Sequence, residues 1–284
     1  MKAISSILRR IEAAEALDPI AKPIIETTAK AVRPRLVRNL ASGTPLGHPA
    51  HPMLTDLPIG AFTMAALLDV VGGAKSAPAA DLLVRAGLLS SVPTVATGLN
   101  DFSDTYGAET RIGLTHAGVN GSALLLYCLS GRARARGHRG RGKLLGLVAL
   151  GTLVAGSYLG GHLSFTKGTN VNRTAWEHAP EDWTAVLPDA DLADGEHRRV
   201  DAGGVAVLLS RSGGGLSAIS ATCSHMGGPL DEGTFADGCV TCPWHGSTFR
   251  LSDGGIERGP ACVEQPVFDT RVQDGQIEVR AATS

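Results

Sequence analysis

Charge is scarce in this chain. Only 19% of its 284 residues are Asp, Glu, Lys or Arg, against about 25% in an ordinary soluble protein. The net charge is −1, so no cationic field is offered to a nucleic acid and no nucleic-acid partner is expected. Cysteine is scarce as well: five residues, an odd count, which argues against a disulfide framework. The opening "MKAISSILRRIEAAEALDP" carries charges every few residues and lacks an apolar core, so it does not read as a cleaved signal peptide. No period of 20–50 residues is visible, which excludes a solenoid.

What the chain has is a division. Residues 53–165 are rich in Leu, Ala, Val and Gly, whereas 176–284 have the composition of a soluble β domain. Four apolar runs stand out: 53–71, 82–99, 112–130 and 144–163. A spanning helix needs about 20 mostly apolar residues. The last two runs carry no formal charge. Small residues throughout suit close helix packing in lipid. The expectation is a multi-pass protein of the cell membrane, in contact with lipid.

Before the first run, 3–32 is amphipathic. Ile4, Ile7, Leu8 and Ile11 share one helical face, and Pro19 and Pro23 interrupt the pattern. Such a segment fits the membrane interface, or a helix packed on another domain. The charge rule for orientation conflicts with itself. The loop 131–143 holds five Arg and one Lys, yet Lys30, Arg33, Arg35 and Arg38 before the first span are also basic. Four spans place these two regions on opposite sides, so both cannot be cytoplasmic.

The densest chemistry lies at "CSHMGGPL" (223–230) and "CPWHGSTF" (242–249). Cys223 and His225 form a Cys-x-His pair; Cys242 and His245 form Cys-x-x-His, sixteen residues on. Thiolates and imidazoles at short fixed spacings are metal ligands. Strand-like runs flank both pairs, at 216–220 and 247–252, which puts the pairs on loops. A zinc site uses the same donors, and Cys239 with Cys242 forms Cys-x-x-Cys. Zinc fingers, however, group like with like, whereas mixed pairs suit a [2Fe–2S] cluster with two Cys on one iron and two His on the other.

The two boxes resemble the cluster boxes of the Rieske iron–sulfur family, over residues 183–281. The resemblance implies a small all-β domain with Cys223 and Cys242 on one iron and His225 and His245 on the other. Gly227, Trp244 and Ser247 would surround the cluster, with Ser247 donating to a cluster sulfide. Rieske proteins of quinol-oxidising complexes carry an extra, disulfide-linked Cys in each box; here those positions are Gly228 and Trp244. The similarity is therefore to the ferredoxin-like branch, which needs no oxidising compartment and points to a cytoplasmic domain. Phe249 stands where a Tyr hydroxyl would raise the potential. The expected potential is near the low end of the Rieske range, about −150 mV rather than +300 mV. Cys239, Cys262 and Cys128 are expected to be packing residues.

The apolar half resembles a family of four-helix membrane domains of uncharacterised function, through 47–62, 114–120 and 160–163. Alternating spans put His51, His116 and His162 at one membrane surface, with Asp101 and Asp104 arriving there. Imidazoles so gathered would suit haem b or a quinone headgroup; alternatively, His116 bonds Asn120 or a backbone carbonyl.

The expected architecture is multidomain. Residues 1–46 form an interfacial segment and 47–170 an all-α transmembrane four-helix domain. Residues 171–182 form a linker and 183–284 an all-β Rieske-type domain. No stretch remains for a mononuclear-iron oxygenase domain. The expected role is membrane-anchored one-electron transfer with a reductase or an oxidase or oxygenase component as partner. The alternative is a redox sensor whose cluster state gates partner docking.

Overall fold

The computed structural model describes residues 2–282. Met1, Thr283 and Ser284, the outermost residues of the expected N-terminal and C-terminal segments, lie outside them. The chain divides into two compact units. One joins residues up to 33 with Ala50–Thr169; the other joins Pro34–Pro49 with residues from 170 onward.

The first unit is helical. Helices α1 (Lys2–Glu12) and α2 (Asp18–Ala31) precede α3 (Arg35–Ser42), which belongs to the second unit. Then come α4 (Ala50–Val71), α5 (Ala77–Phe102), α6 (Ala108–Ala135) and α7 (Arg139–Gly161), the last ending in a π-helical turn, His162–Lys167. Each of the four expected spans is present and longer than its apolar run, and all four are long and apolar enough to cross a membrane. The 22 residues of α4 extend about 33 Å, against a hydrocarbon core of about 30 Å. Short turns make α4–α5 and α6–α7 antiparallel neighbours. Their seam is filled by Phe62, Ala65, Val84, Ala123, Tyr127, Ala149 and Leu153. The rings of Phe62 and Tyr127 stack at 3.6 Å between centroids. Phe62 lies so close to Gly87 that a Cβ there would fall 2.5 Å from the ring.

The amphipathic start differs from expectation in detail. Pro19 occupies the first turn of α2, where its missing N–H costs nothing, and Pro23 is accommodated inside that helix. The apolar face of α1 divides: Leu8 packs with Ile112 and Leu159, while Ile4 and Ile7 stay exposed. Arg111 of α6 ties this segment down through Asp18 (2.7 and 2.8 Å) and the Glu12 carbonyl (2.7 Å).

The described residues of the second unit carry ten strands in three antiparallel sheets. One sheet is β1 (Thr184–Pro188), β10 (Gln276–Ala281) and β9 (Phe268–Gln273). Another is β2 (His197–Ala202), β3 (Val205–Ser212) and β4 (Gly215–Ser220). The third is β5 (Thr234–Ala236), β6 (Cys239–Thr241), β7 (Thr248–Arg250) and β8 (Ile256–Arg258). Four hairpins share one local cause. Gly203–Gly204, Gly213–Gly214, Asp237–Gly238 and Asp274–Gly275 all have positive φ at both positions, the geometry of a two-residue turn that matches strand twist. The apolar faces close into two clusters, one around Val207, Leu209, Phe268 and Ile277, the other around Leu208, Ile219, Leu230, Val240 and Phe249.

The unit boundary departs from the expected one. Residues 34–46 group with the β sheets rather than with the N-terminal segment, and 171–182 is integrated rather than a free linker. The reason is hydrogen bonding. Asn39 accepts the Gly259 N–H at 2.8 Å and Thr44 donates to the Ala261 carbonyl at 2.9 Å. The Arg173 N–H reaches the Ser224 carbonyl at 3.0 Å.

Candidate metal centre

The two Cys/His boxes fold into two matching loops, one after β4 and one between β6 and β7. In the first, the Cys223 N–H donates to the Gly228 carbonyl (2.8 Å) and the Cys223 carbonyl accepts from Gly227 N–H (2.8 Å). In the second, the Cys242 N–H donates to the Ser247 carbonyl (2.8 Å) and the Cys242 carbonyl accepts from Gly246 N–H (3.1 Å). The offsets, five residues forward and four residues back, are the same. Both closures need a left-handed residue, and both have glycine there: Gly227 at φ 80° and Gly246 at φ 73°. Each loop also aims two N–H groups at its own sulfur: His225 and Met226 at Cys223, Trp244 and His245 at Cys242.

The loops meet at the sulfurs. The Cys223 thiol and the Cys242 sulfur hydrogen-bond, which pushes Cys242 down to about 7 and Cys223 up. The N–H groups of Trp244 and His245 also favour the Cys242 thiolate. A Cβ at Gly228 would lie 2.7 Å from the Cys242 sulfur and 3.1 Å from the Trp244 ring. No larger residue fits between the loops at that point. The imidazoles form the other pair, 5.1 Å between centroids and at 87°. That separation suits two rings on one metal, each nitrogen at a bond length of about 2 Å. The Asn170 Oδ1 accepts the Nε2–H of His225 at 3.1 Å; the ring's lone pair is then on Nδ1. Burial, then the positive charges of His245, Arg38 and Arg173, hold His225 down to about 3.

These donors fit a two-metal cluster better than a single ion. Thiols pair with thiol and imidazole with imidazole.

The surroundings behave as follows. Ser247 is fully buried and its oxygen accepts the Ala261 N–H at 3.0 Å, so its own O–H is directed elsewhere. Trp244 is half exposed and edge-on to His245, 6.4 Å between centroids. Phe249 lies fully buried in the cluster that also contains Cys223 and Cys242. Cys239 lies half-buried on β6, and Cys262 donates to the Ser42 carbonyl at 3.1 Å. Asn170, Arg173 and Arg38 were not foreseen. They lie about 50 and about 190 residues from the boxes, and no local spacing marks them.

In the helical unit, His51 and His116 come together with ring centroids 6.4 Å apart at 86°. Each Nδ1 meets a backbone carbonyl at 2.9 Å, Thr94 for His51 and Gly156 for His116. Asn120 bonds the His116 carbonyl, also at 2.9 Å. His162 engages Glu12 at 3.3 Å, beside Lys167 at 2.6 Å. Asp104 is buried near the α5–α6 turn, and Asp101 accepts from Asn100 at 3.1 Å.

At the other end of the same bundle lies a charge cluster whose pairing the sequence does not display. Asp69 and Arg134, both almost fully buried, form an ion pair. Asp81 meets Arg134 at 3.0 Å and Arg139 at 3.1 Å. Lys143 donates to the Asp69 carbonyl at 2.7 Å.

Comparison with known proteins agrees with this division. Residues 182–269 match the Rieske [2Fe-2S] domain, and residues 47–173 match a family described as predicted membrane protein (DUF2231). Ferredoxin CarAc of Metapseudomonas resinovorans is 34% identical over 98 residues, which are 34% of this chain and 92% of that protein. The human protein named apoptosis-inducing factor 3 is 36% identical over 98 residues, and the match spans only 16% of its length. Among solved structures, the ferredoxin of carbazole 1,9a-dioxygenase from Nocardioides aromaticivorans IC177 is 27% identical. It aligns over 36% of this chain and 100% of its own, with a TM-score of 0.34.

Proposed function

We propose that this chain, which belongs to the Rieske [2Fe–2S] family through its C-terminal domain, is a membrane-anchored carrier of single electrons. The observation that carries the proposal is the pairing of donors: sulfur with sulfur and imidazole with imidazole, on two loops of matching geometry. Cys223 and Cys242 would hold one iron, and His225 and His245 the other. When bound, the cluster supplies a reversible one-electron couple.

The chain's own groups set how that couple behaves. N–H groups aimed at both sulfurs stabilise the more negative state. Phe249 has no hydroxyl to add to them, which supports a potential near the low end of the family range, about −150 mV. His245 is half-buried and Trp244 half exposed, so this edge is where a redox partner protein would approach. The relative named as the ferredoxin component of biphenyl 2,3-dioxygenase supports an oxygenase component as one such partner; a reductase would supply the electron.

The four candidate spans support the anchor. A cytoplasmic position for the β unit draws on the likeness to the ferredoxin-like branch, with Gly228 and Trp244 where a disulfide-linked pair would stand. Exchange with haem b or quinone in the membrane unit is a finer proposal. It draws on His51 and His116, whose Nδ1 contacts to carbonyls put the lone pair of each ring on Nε2, that of His116 within 3.3 Å of the Asn120 amide nitrogen.

The test is electron flow. The loaded full chain in lipid nanodiscs is placed between a flavin-dependent ferredoxin reductase and cytochrome c. Catalysed reduction of cytochrome c is the expected result. Redox-dependent capture of a partner without turnover would instead support the sensor alternative.

A further inference from the structure

Helix α3 is inside out. Its buried side chains are polar, Arg38 and Ser42, each 3% exposed. Its exposed side chains are apolar: Leu36 at 70%, Leu40 at 59% and Val37 at 43%, with Leu46 in the following turn also exposed. The polar face has a clear occupation within its own unit. Arg35 pairs with Glu257, Asn39 accepts the Gly259 N–H, and the Ser42 carbonyl accepts from the Cys262 thiol. Thr44 then bonds the Ala261 carbonyl, and Ala261 in turn donates to Ser247 beside the second Cys/His loop. One face thus grips the loop 257–262, next to the metal centre. Leu36 and Leu40, four residues apart, stack along the opposite face.

An apolar stripe of this kind in water would be hydrated at a cost. Two features name what covers it. The chain between Glu26 and Asp56 has no acidic residue, and of its four basic ones Lys30 and Arg33, just before α3, are exposed while Arg35 and Arg38 are engaged within the unit. The first candidate span begins at Ala50, eight residues after α3 ends. A short helix with one apolar face, preceded by exposed basic residues and joined directly to a span, has the character of an interfacial helix. We infer that α3 lies in the interface of an anionic membrane, with Leu36, Val37 and Leu40 in the acyl boundary and its polar face clamped to the loop 257–262. The inference rests on the membrane-anchored function proposed above. It deepens that function by assigning the β unit a second, non-covalent hold on the lipid surface.

The experiment places a photo-crosslinking residue, benzoylphenylalanine, in the full chain in anionic lipid nanodiscs. The positions are Leu36, Leu40, Leu89 in the middle of α5, and Val272 on β9. All four are exposed, so the fold tolerates them. Lipid adducts at 36 and 40 comparable to those at 89, and several-fold above 272, are the expected result. Adducts at 89 without adducts at 36 and 40 overturn the inference and leave the anchor standing. Protein adducts at 36 and 40, from a partner or a second copy, also overturn it, as do equal yields at 272. Absence of lipid adducts at 89 overturns the membrane anchor and this inference with it.

Discussion

The two units bury opposite things. In the β unit the interior is Val207, Leu208, Leu209, Ile219, Ile277 and Phe249, as in any water-soluble fold. In the helical unit Leu67, Leu82, Leu89, Val92, Leu125 and Val154 face outward, while Ser91, Thr94, Thr97, Asn100 and Ser130 are buried. Asp69 and Arg134 are buried there too. The same twenty side chains have been sorted by two different solvents. Around the helices apolar surface carries no penalty and polar groups gather inside, where they bond one another, as lipid demands. The contrast also explains why the polar core of each unit has its own chemistry. The membrane unit balances charge against charge; the β unit collects neutral thiols and imidazoles able to hold metal.

The sharpest break in the comparison comes from the metal donors. Replacing Cys242 by Ala removes one of two sulfurs and should abolish the cluster's visible absorption. The helical unit should keep its melting transition in detergent, because its core is separate. A cluster that survives in Cys242→Ala would remove this residue from the ligand set.

The converse break is Asp69→Ala. It leaves the buried Arg134 without a main partner, a change of about 3–5 kcal/mol for a buried pair. Thermal unfolding of the helical unit should shift down while the cluster spectrum stays unchanged. An unchanged melt would mean that the pair is solvated in the membrane.

Arg38→Gln sharpens the contrast from the β side. Arg38 is buried with its charge acting on His225. Losing that charge should lower the midpoint potential, each tenfold change in the equilibrium reading as about 59 mV for a one-electron couple. Arg38→Lys should restore most of it. A potential that rises or stays constant in Arg38→Gln would contradict the electrostatic role.

The smallest effect concerns Glu177, whose carboxyl burial pushes upward, against hydrogen bonds from Ser220 and Thr222. With the folded value above the unfolded one, stability falls as pH rises from the unfolded value through the folded one, and stays lower above it. Glu177→Gln should therefore stabilise the β unit at neutral pH and make no difference in acid. Denaturant midpoints at both pH values would show it.

Much of this was legible in the sequence because it is local. The spans announce themselves by apolar runs of about twenty residues. The ligand spacing of Cys223, His225, Cys242 and His245 names a metal-binding site before any fold is known. What stayed hidden is what depends on distant chain meeting. Arg35 and Asn39 reach loop 257–262 across more than 200 residues. Asn170 falls at the end of the expected membrane domain and Arg173 in the expected linker, until they meet the first metal loop. The pairing of Asp69 with Arg134 could not be told from charges near helix ends, since nothing in their spacing selects each other.

The most direct test of the central claim is the reduced-minus-oxidised absorption spectrum of the full chain purified from membranes in detergent, with iron and sulfide analysis on the same sample. The account predicts iron and sulfide in equal amounts, with broad visible absorption that bleaches on uptake of one electron. A colourless protein that holds zinc, and stays silent after reconstitution with iron and sulfide, would contradict it.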